Sequence, residues 1–107
     1  KIFKGNIITM IKVTYQNKDY PQIEIKGHSS YSLAGTDIVC SAVSVLTQFV
    51  AEILKNEGLG DYKKKEGYLL IKVTEKSEIS DLLFQYLIES LLSISKDYPK
   101  NLKVEVR

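Results

Sequence analysis

Cys40 is the only thiol in this chain and His28 the only imidazole. Twelve positions separate them, with Gly27 immediately before the histidine and Asp37 three residues before the cysteine. A thiol and an imidazole that exchange a proton give the thiolate–imidazolium pair of cysteine hydrolases. Each residue also has a bland reading. A lone cysteine behaves as a small buried hydrophobe, and a lone histidine beside a glycine is an ordinary loop residue.

Local context favours chemistry. Thr36 and Asp37 are both good N-caps, so a helix is expected to start at one of them. With Asp37 as the cap, Cys40 is the third helical residue, where free backbone N–H groups and the helix dipole stabilise a thiolate. The amides at this helix start, those of Val39 and Cys40, are expected to receive an oxyanion. Val39, Ala42, Val43, Leu46, Phe49, Val50 and Ile53 recur at spacings of three and four, the pattern of a core stripe. At about 100° per residue this stripe puts Cys40 roughly 120° from its centre, on the flank of Ser44, Thr47 and Ala51. The expected cysteine therefore faces outward. Asp37 is either the helix cap or the polar neighbour that orients His28. Ser44, one turn beyond Cys40, either hydrogen-bonds near the thiol or is merely solvated. Gly27 and Gly35 are expected to serve backbone geometry.

Other thiol chemistries fit poorly. A tyrosine-phosphatase loop needs an Arg six residues after its cysteine, and position 46 is Leu. Disulfide exchange wants a second cysteine, which is absent. One Cys and one His fall short of a zinc site, so no metal and no cofactor is expected.

The elements that must position these residues are legible from periodicity. Ile11, Val13 and Tyr15 alternate with polar residues as a strand, and Ile23 and Ile25 do so again after the Asn17-Lys18-Asp19 turn cluster. Residues 29–36 are small, polar and aperiodic, hence a loop. The first helix runs to about Glu57 and stops at Gly58. Residues 67–74 read as a strand, paired to a shorter one near Asp61–Lys65. A second helix spans about Glu78–Lys96, capped by Ser77, and Leu102, Val104 and Val106 form a last strand. The expected fold is α+β: one mixed β-sheet with two helices packed on it, order ββαβ(β)αβ. Residues 10–107 form a single domain. Residues 1–9, before Met10, are either an upstream extension or a short extra strand.

The second helix carries Ile79, Leu82, Leu83, Tyr86, Leu87 and Ile94 as its expected core stripe. Phe84, Ile88, Leu91 and Leu92 extend the apolar surface to the far side. Such a helix has no broad wet face, which points to a homodimer through it, or else to a helix sunk between sheet and loop.

Composition sets further bounds. Fifteen basic residues are nearly matched by thirteen acidic ones, and the net charge is +2. Arg107 is the only arginine, so the bidentate forks that read phosphate and guanine are missing and no direct nucleic-acid partner is expected. Lys63-Lys64-Lys65 reads as a solvated hairpin end. No apolar run is expected to cross a bilayer, no signal peptide is read in Lys1–Thr9, and one cysteine asks for no oxidising compartment. A cytoplasmic protein with no membrane partner is the expectation.

Gly27-His28, the twelve-residue step to Cys40, and the run Asp37-Ile38-Val39-Cys40-Ser41-Ala42-Val43-Ser44 together resemble the ribosomal-processing cysteine protease Prp family, and the likeness extends from Met10 to Arg107. The resemblance implies Cys40 as nucleophile, His28 as base, a homodimer, and a mobile loop that orders over an extended peptide. That loop comprises Gly27, Ser29, Ser30, Tyr31 and Gly35. The implied activity is removal of a short N-terminal extension from large-subunit ribosomal protein twenty-seven, after a pair of aromatic residues. Asp37 and Ser44 match positions linked with the family's active site. Ser29-Ser30 and Ser41 depart from the family's common residues there and bear on substrate preference. The alternatives are a ribosome-associated binding module and a dimeric scaffold, each with a non-catalytic cysteine.

Overall fold

The computed structural model describes residues 10–27 and 36–107, residues 36 and 37 by their backbone only. The expected extension or strand at residues 1–9, and the expected loop with His28, Ser29, Ser30, Tyr31 and Gly35, lie outside the described residues.

Alternating apolar residues build five strands: β1 (Ile11–Gln16), β2 (Gln22–Lys26), β3 (Gly60–Lys65), β4 (Tyr68–Val73) and β5 (Leu102–Val106). Two helices, α1 (Thr36–Asn56) and α2 (Glu78–Asp97), follow β2 and β4. The sheet order is β3-β4-β2-β1-β5. All neighbours are antiparallel except β1 and β5, which run parallel. This is the expected α+β mixed sheet, with element order ββαββαβ among the described residues.

Period-two alternation sends Ile11, Val13, Ile23, Ile25, Leu69, Ile71, Val73 and Leu102 to the helix side, where all are buried. Each such side chain contributes about 1.5–3 kcal/mol on leaving water. The β3–β4 hairpin turns through Gly67 at φ 71°, a left-handed geometry that glycine adopts without steric cost. α2 starts as expected: the Ser77 hydroxyl accepts from the Ser80 amide at 2.9 Å, and the Ser77 amide donates to the Ser80 hydroxyl at 3.2 Å.

Both helices are rotated from their expected orientation. The buried face of α1 is Val39, Val43, Thr47, Val50, Ala51 and Leu54, whereas Phe49 is 63% exposed. Counting apolar residues alone omits Thr47. Its hydroxyl donates to the Val43 carbonyl at 2.7 Å, so its polar atom is satisfied and it can be buried. In α2, Phe84, Leu87, Ile88 and Leu91 face the core with Ser80, while Ile79, Leu82 and Tyr86 face out. Leu83, Leu87 and Ile94 of the expected stripe do pack on the core and Leu92 is exposed, but Ile79, Leu82 and Tyr86 have changed places with Phe84, Ile88 and Leu91. Ser80, satisfied within the capping box, is again the buried polar residue that the pattern hides.

Ile38–Asn56 is also long and apolar enough, at mean hydropathy 1.6, to cross a bilayer, contrary to the expectation that no run is. Here its buried face packs on the sheet.

On β1 and β5, Glu105 lies 3.6 Å from Lys12, 3.5 Å from Lys103 and 3.0 Å from Arg107. Burial pushes its carboxyl up, but the three cations outweigh this and hold it below its ordinary 4.5. A depressed folded-state pKa means the pairing stabilises the fold above about pH 4.5 and is lost as pH falls through the lowered value. Glu105→Gln should therefore lower the melting temperature slightly at neutral pH and flatten its decline in acid, which thermal melts at pH 3–7 would measure.

Candidate active site

α1 brings Cys40 to the edge of the core. The thiol is half-buried and packs against the hydrophobic cluster. This corrects the outward-facing cysteine expected from the stripe. Relative to the true buried face, Cys40 stands only about 50° off centre, on its shoulder. The sulfur is neither sealed in the core nor fully in solvent.

Cys40 lines a cleft between α1, the sheet and the β3–β4 hairpin. Ile11, Ile25 and Leu69 form the floor on the sheet, and Val43, Ser44, Thr47 and Gln48 continue the α1 wall. Lys64, Lys65 and Tyr68 supply the hairpin wall. Its inner space of about 50 Å³ admits a few waters or the end of a side chain. Ser44, singled out from the sequence, does share the cleft with Cys40.

The hairpin wall was not anticipated. Lys64, read as part of a solvated hairpin end, donates to Gln48 Oε1 at 2.8 Å. The Tyr62 hydroxyl donates to Glu52 one turn further along α1, and this bond, with burial, raises its pKa. Two side chains of one edge strand thus hold the hairpin over α1. The signal was present in the turn: Glu66-Gly67 makes a two-residue hairpin and sets Lys64 opposite Leu69, so Lys64 must share the floor residue's side of the sheet.

α1 begins at Thr36. Asp37 is therefore inside the first turn and not its cap, and Cys40 is the fifth helical residue. The free amides of a helix are those of its first turn. The Asp37 side chain and His28 lie outside what is described. The approach to His28 is defined, however. β2 passes through the cleft floor at Ile25 and ends at Lys26. Gly27 follows at φ 72°, donating its amide to Gly67 O at 2.8 Å. An added Cβ at Gly27 would lie a tight 3.2 Å from the Met10 carbonyl, and the left-handed backbone favours glycine here, as expected. Among the described residues no group of three or more His, Cys, Asp and Glu side chains is arranged to hold a metal ion.

Comparison with known families and structures agrees with this fold. The family model described as cysteine protease Prp matches residues 8–103. A search of curated proteins returns no match. Among solved structures, the ribosomal processing protease Prp from S. aureus in complex with a substrate peptide is 21% identical, with a TM-score of 0.79 over 92% of this chain and all of that one. The same protease with a covalently linked product peptide is 23% identical at TM-score 0.76, with the same coverage. SMU.848 from Streptococcus mutans is 21% identical at TM-score 0.75, covering 92% of this chain and 94% of that one.

If the thiol is reached through this cleft, bulk at Ser44 must obstruct it. Ser44→Phe should slow labelling of Cys40 by a neutral maleimide at least tenfold relative to Ser44→Ala, followed by mass spectrometry. Equal rates would show that reagent arrives from another side.

Proposed function

Because the chain belongs to the Prp family of cysteine proteases, we propose that it is the endopeptidase that removes a short N-terminal extension from large-subunit ribosomal protein twenty-seven. The observation that carries this reading is Cys40 near the start of α1, half-buried in a small cleft over an apolar floor of Ile11, Ile25 and Leu69. The structural relative with a covalently linked product peptide supports an acyl-enzyme route.

In this reading the Cys40 sulfur attacks the scissile carbonyl carbon and forms a thioester as the C–N bond breaks. His28 takes the thiol proton and gives it to the leaving amine, and water then hydrolyses the thioester. Amides at the first turn of α1 receive the oxyanion. Asp37 orients the imidazole, and Ser44 hydrogen-bonds beside the sulfur. Ser29, Ser30, Tyr31 and Gly35 contact the bound peptide. The reaction needs no metal or cofactor, and its substrate is met in the cytoplasm. A peptide copying the extension should be cut by the wild type. Cys40→Ala and His28→Ala should each lose more than about a thousandfold in kcat/KM, the scale on which removing a triad member acts. Cleavage by Cys40→Ala at the wild-type rate would end the proposal.

We also propose a homodimer built on α2. The expected surplus of apolar surface is present: Leu92 is exposed as expected, joined by Ile79, Leu82 and Tyr86, while Leu91 is fully buried. α1 adds Ile38, Val45 and Phe49, exposed on the flank of the helix away from Cys40. A second copy seated there buries apolar surface without closing the cleft. Leu82→Glu with Tyr86→Glu should convert a dimer to a folded monomer in sedimentation velocity, whereas Lys96→Glu should not.

A further inference from the structure

The second face of the sheet has no part in the reading above, except that Lys65 and Tyr68 at its hairpin end also line the cleft. By register, β1 to β5 place Lys12, Lys26, Lys63, Lys65, Lys72 and Lys103 on this side, with Arg107 just beyond β5. Only Glu24, Asp61 and Glu105 share it. The remainder of the chain therefore carries eight basic and ten acidic residues. The small net charge, from which no nucleic-acid partner was expected, conceals a one-sided distribution.

Pairing sharpens this into a line. Lys65 stands opposite Tyr68, Tyr68 beside Lys26, Lys26 opposite Lys12, and Lys12 beside Lys103. One transverse row thus crosses all five strands as Lys, Tyr, Lys, Lys, Lys. Strands lie about 4.8 Å apart, so the row spans about 19 Å. Like charges directly opposite each other destabilise a sheet, yet three consecutive strands carry them. Their side chains remain 47%, 60% and 59% exposed for Lys12, Lys26 and Lys103. Glu105 and Glu24 offset only part of the charge. Among the described residues both helices lie on the other side of the sheet, so nothing described covers this row.

We propose that this face binds single-stranded RNA through its phosphate backbone. A row of lysines with flexible stems matches a polymer whose charge repeats at short intervals, and backbone contact needs no arginine fork. The half-exposed Tyr68 and Leu70 between the lysines add apolar surface on which bases can lie. A folded acidic protein would instead require a shaped, complementary surface with a dry centre, and this row is charged at its middle.

Fluorescence anisotropy with a labelled oligouridine tests the proposal. Four phosphate contacts predict that binding weakens about 50-fold between about 50 and 200 mM salt. Lys12→Gln with Lys103→Gln should bind at least tenfold more weakly at low salt, and reduce that salt effect to about sevenfold. Peptide cleavage should be unchanged, since both lysines lie across the sheet from Cys40. Glu105→Gln should tighten RNA binding several-fold, a gain that partial unfolding cannot produce. Lys96→Gln with Lys100→Gln, outside this face, should bind RNA as the wild type does. No binding at low salt, or no change in the lysine pair, would overturn the proposal. So would polyglutamate or phosphatidylserine vesicles binding as tightly with the same lysine dependence.

Discussion

Everything at this site depends on how α1 is rotated on the sheet. One buried hydroxyl does much to set that rotation. Thr47 returns its proton to the Val43 carbonyl, so it occupies the core with no polar group left unsatisfied. Its burial pulls Ala51 and Val43 inward and turns Phe49, Val45 and Ile38 out to solvent. Cys40 is carried to the shoulder of the buried face by the same turn. A helix rotated to bury Phe49 would swing the sulfur out into water. There it would lack the apolar floor of Ile11, Ile25 and Leu69 against which a peptide could be held.

The β3–β4 hairpin completes the enclosure by a different kind of force. β3 is an edge strand with mostly polar side chains, and packing alone holds it weakly. Its alignment over α1 rests on side chains that reach across, Lys64 to Gln48 and Tyr62 to Glu52. Gly60 allows the strand to start where it does, because any Cβ there would collide with the Lys72 carbonyl. These exposed bonds are individually worth little. The hairpin wall is thus the softer side of the cleft and the sheet floor the rigid one.

Much of this was readable from the residues. Strand boundaries, the Ser77 cap and the stop at Gly58 followed from alternation and from cap chemistry, which act within a few residues. What alternation could not supply was the orientation of either helix. In each, a polar side chain that satisfies itself locally, Thr47 or Ser80, occupies the buried face, and hydrophobicity counts it as surface. The outward cysteine and the exposed half of the α2 stripe, Ile79, Leu82 and Tyr86, were misplaced for that one reason. Pairing Cys40 with His28 depended only on chain order, and His28 lies outside the described residues. Lys64 was passed over because three adjacent lysines look solvated, although the Glu66-Gly67 turn already assigns them to alternating sides.

That alternation also explains how one small sheet can serve two surfaces without conflict. A strand residue belongs to one side or the other, so changes on the lysine side leave the cleft floor almost untouched. Lys12 lies between Ile11, in the cleft, and Val13, in the core, yet its ammonium group is on the opposite side of the backbone. Charge can therefore accumulate there without desolvating the thiol's surroundings, and the helix side can remain apolar enough to hold a peptide. The two surfaces meet at the hairpin end, where Lys65 and Tyr68 line the cleft and also begin the transverse row. Any coupling between a ligand on the open face and a peptide in the cleft would have to pass through that turn. It is also the wall least firmly held by packing.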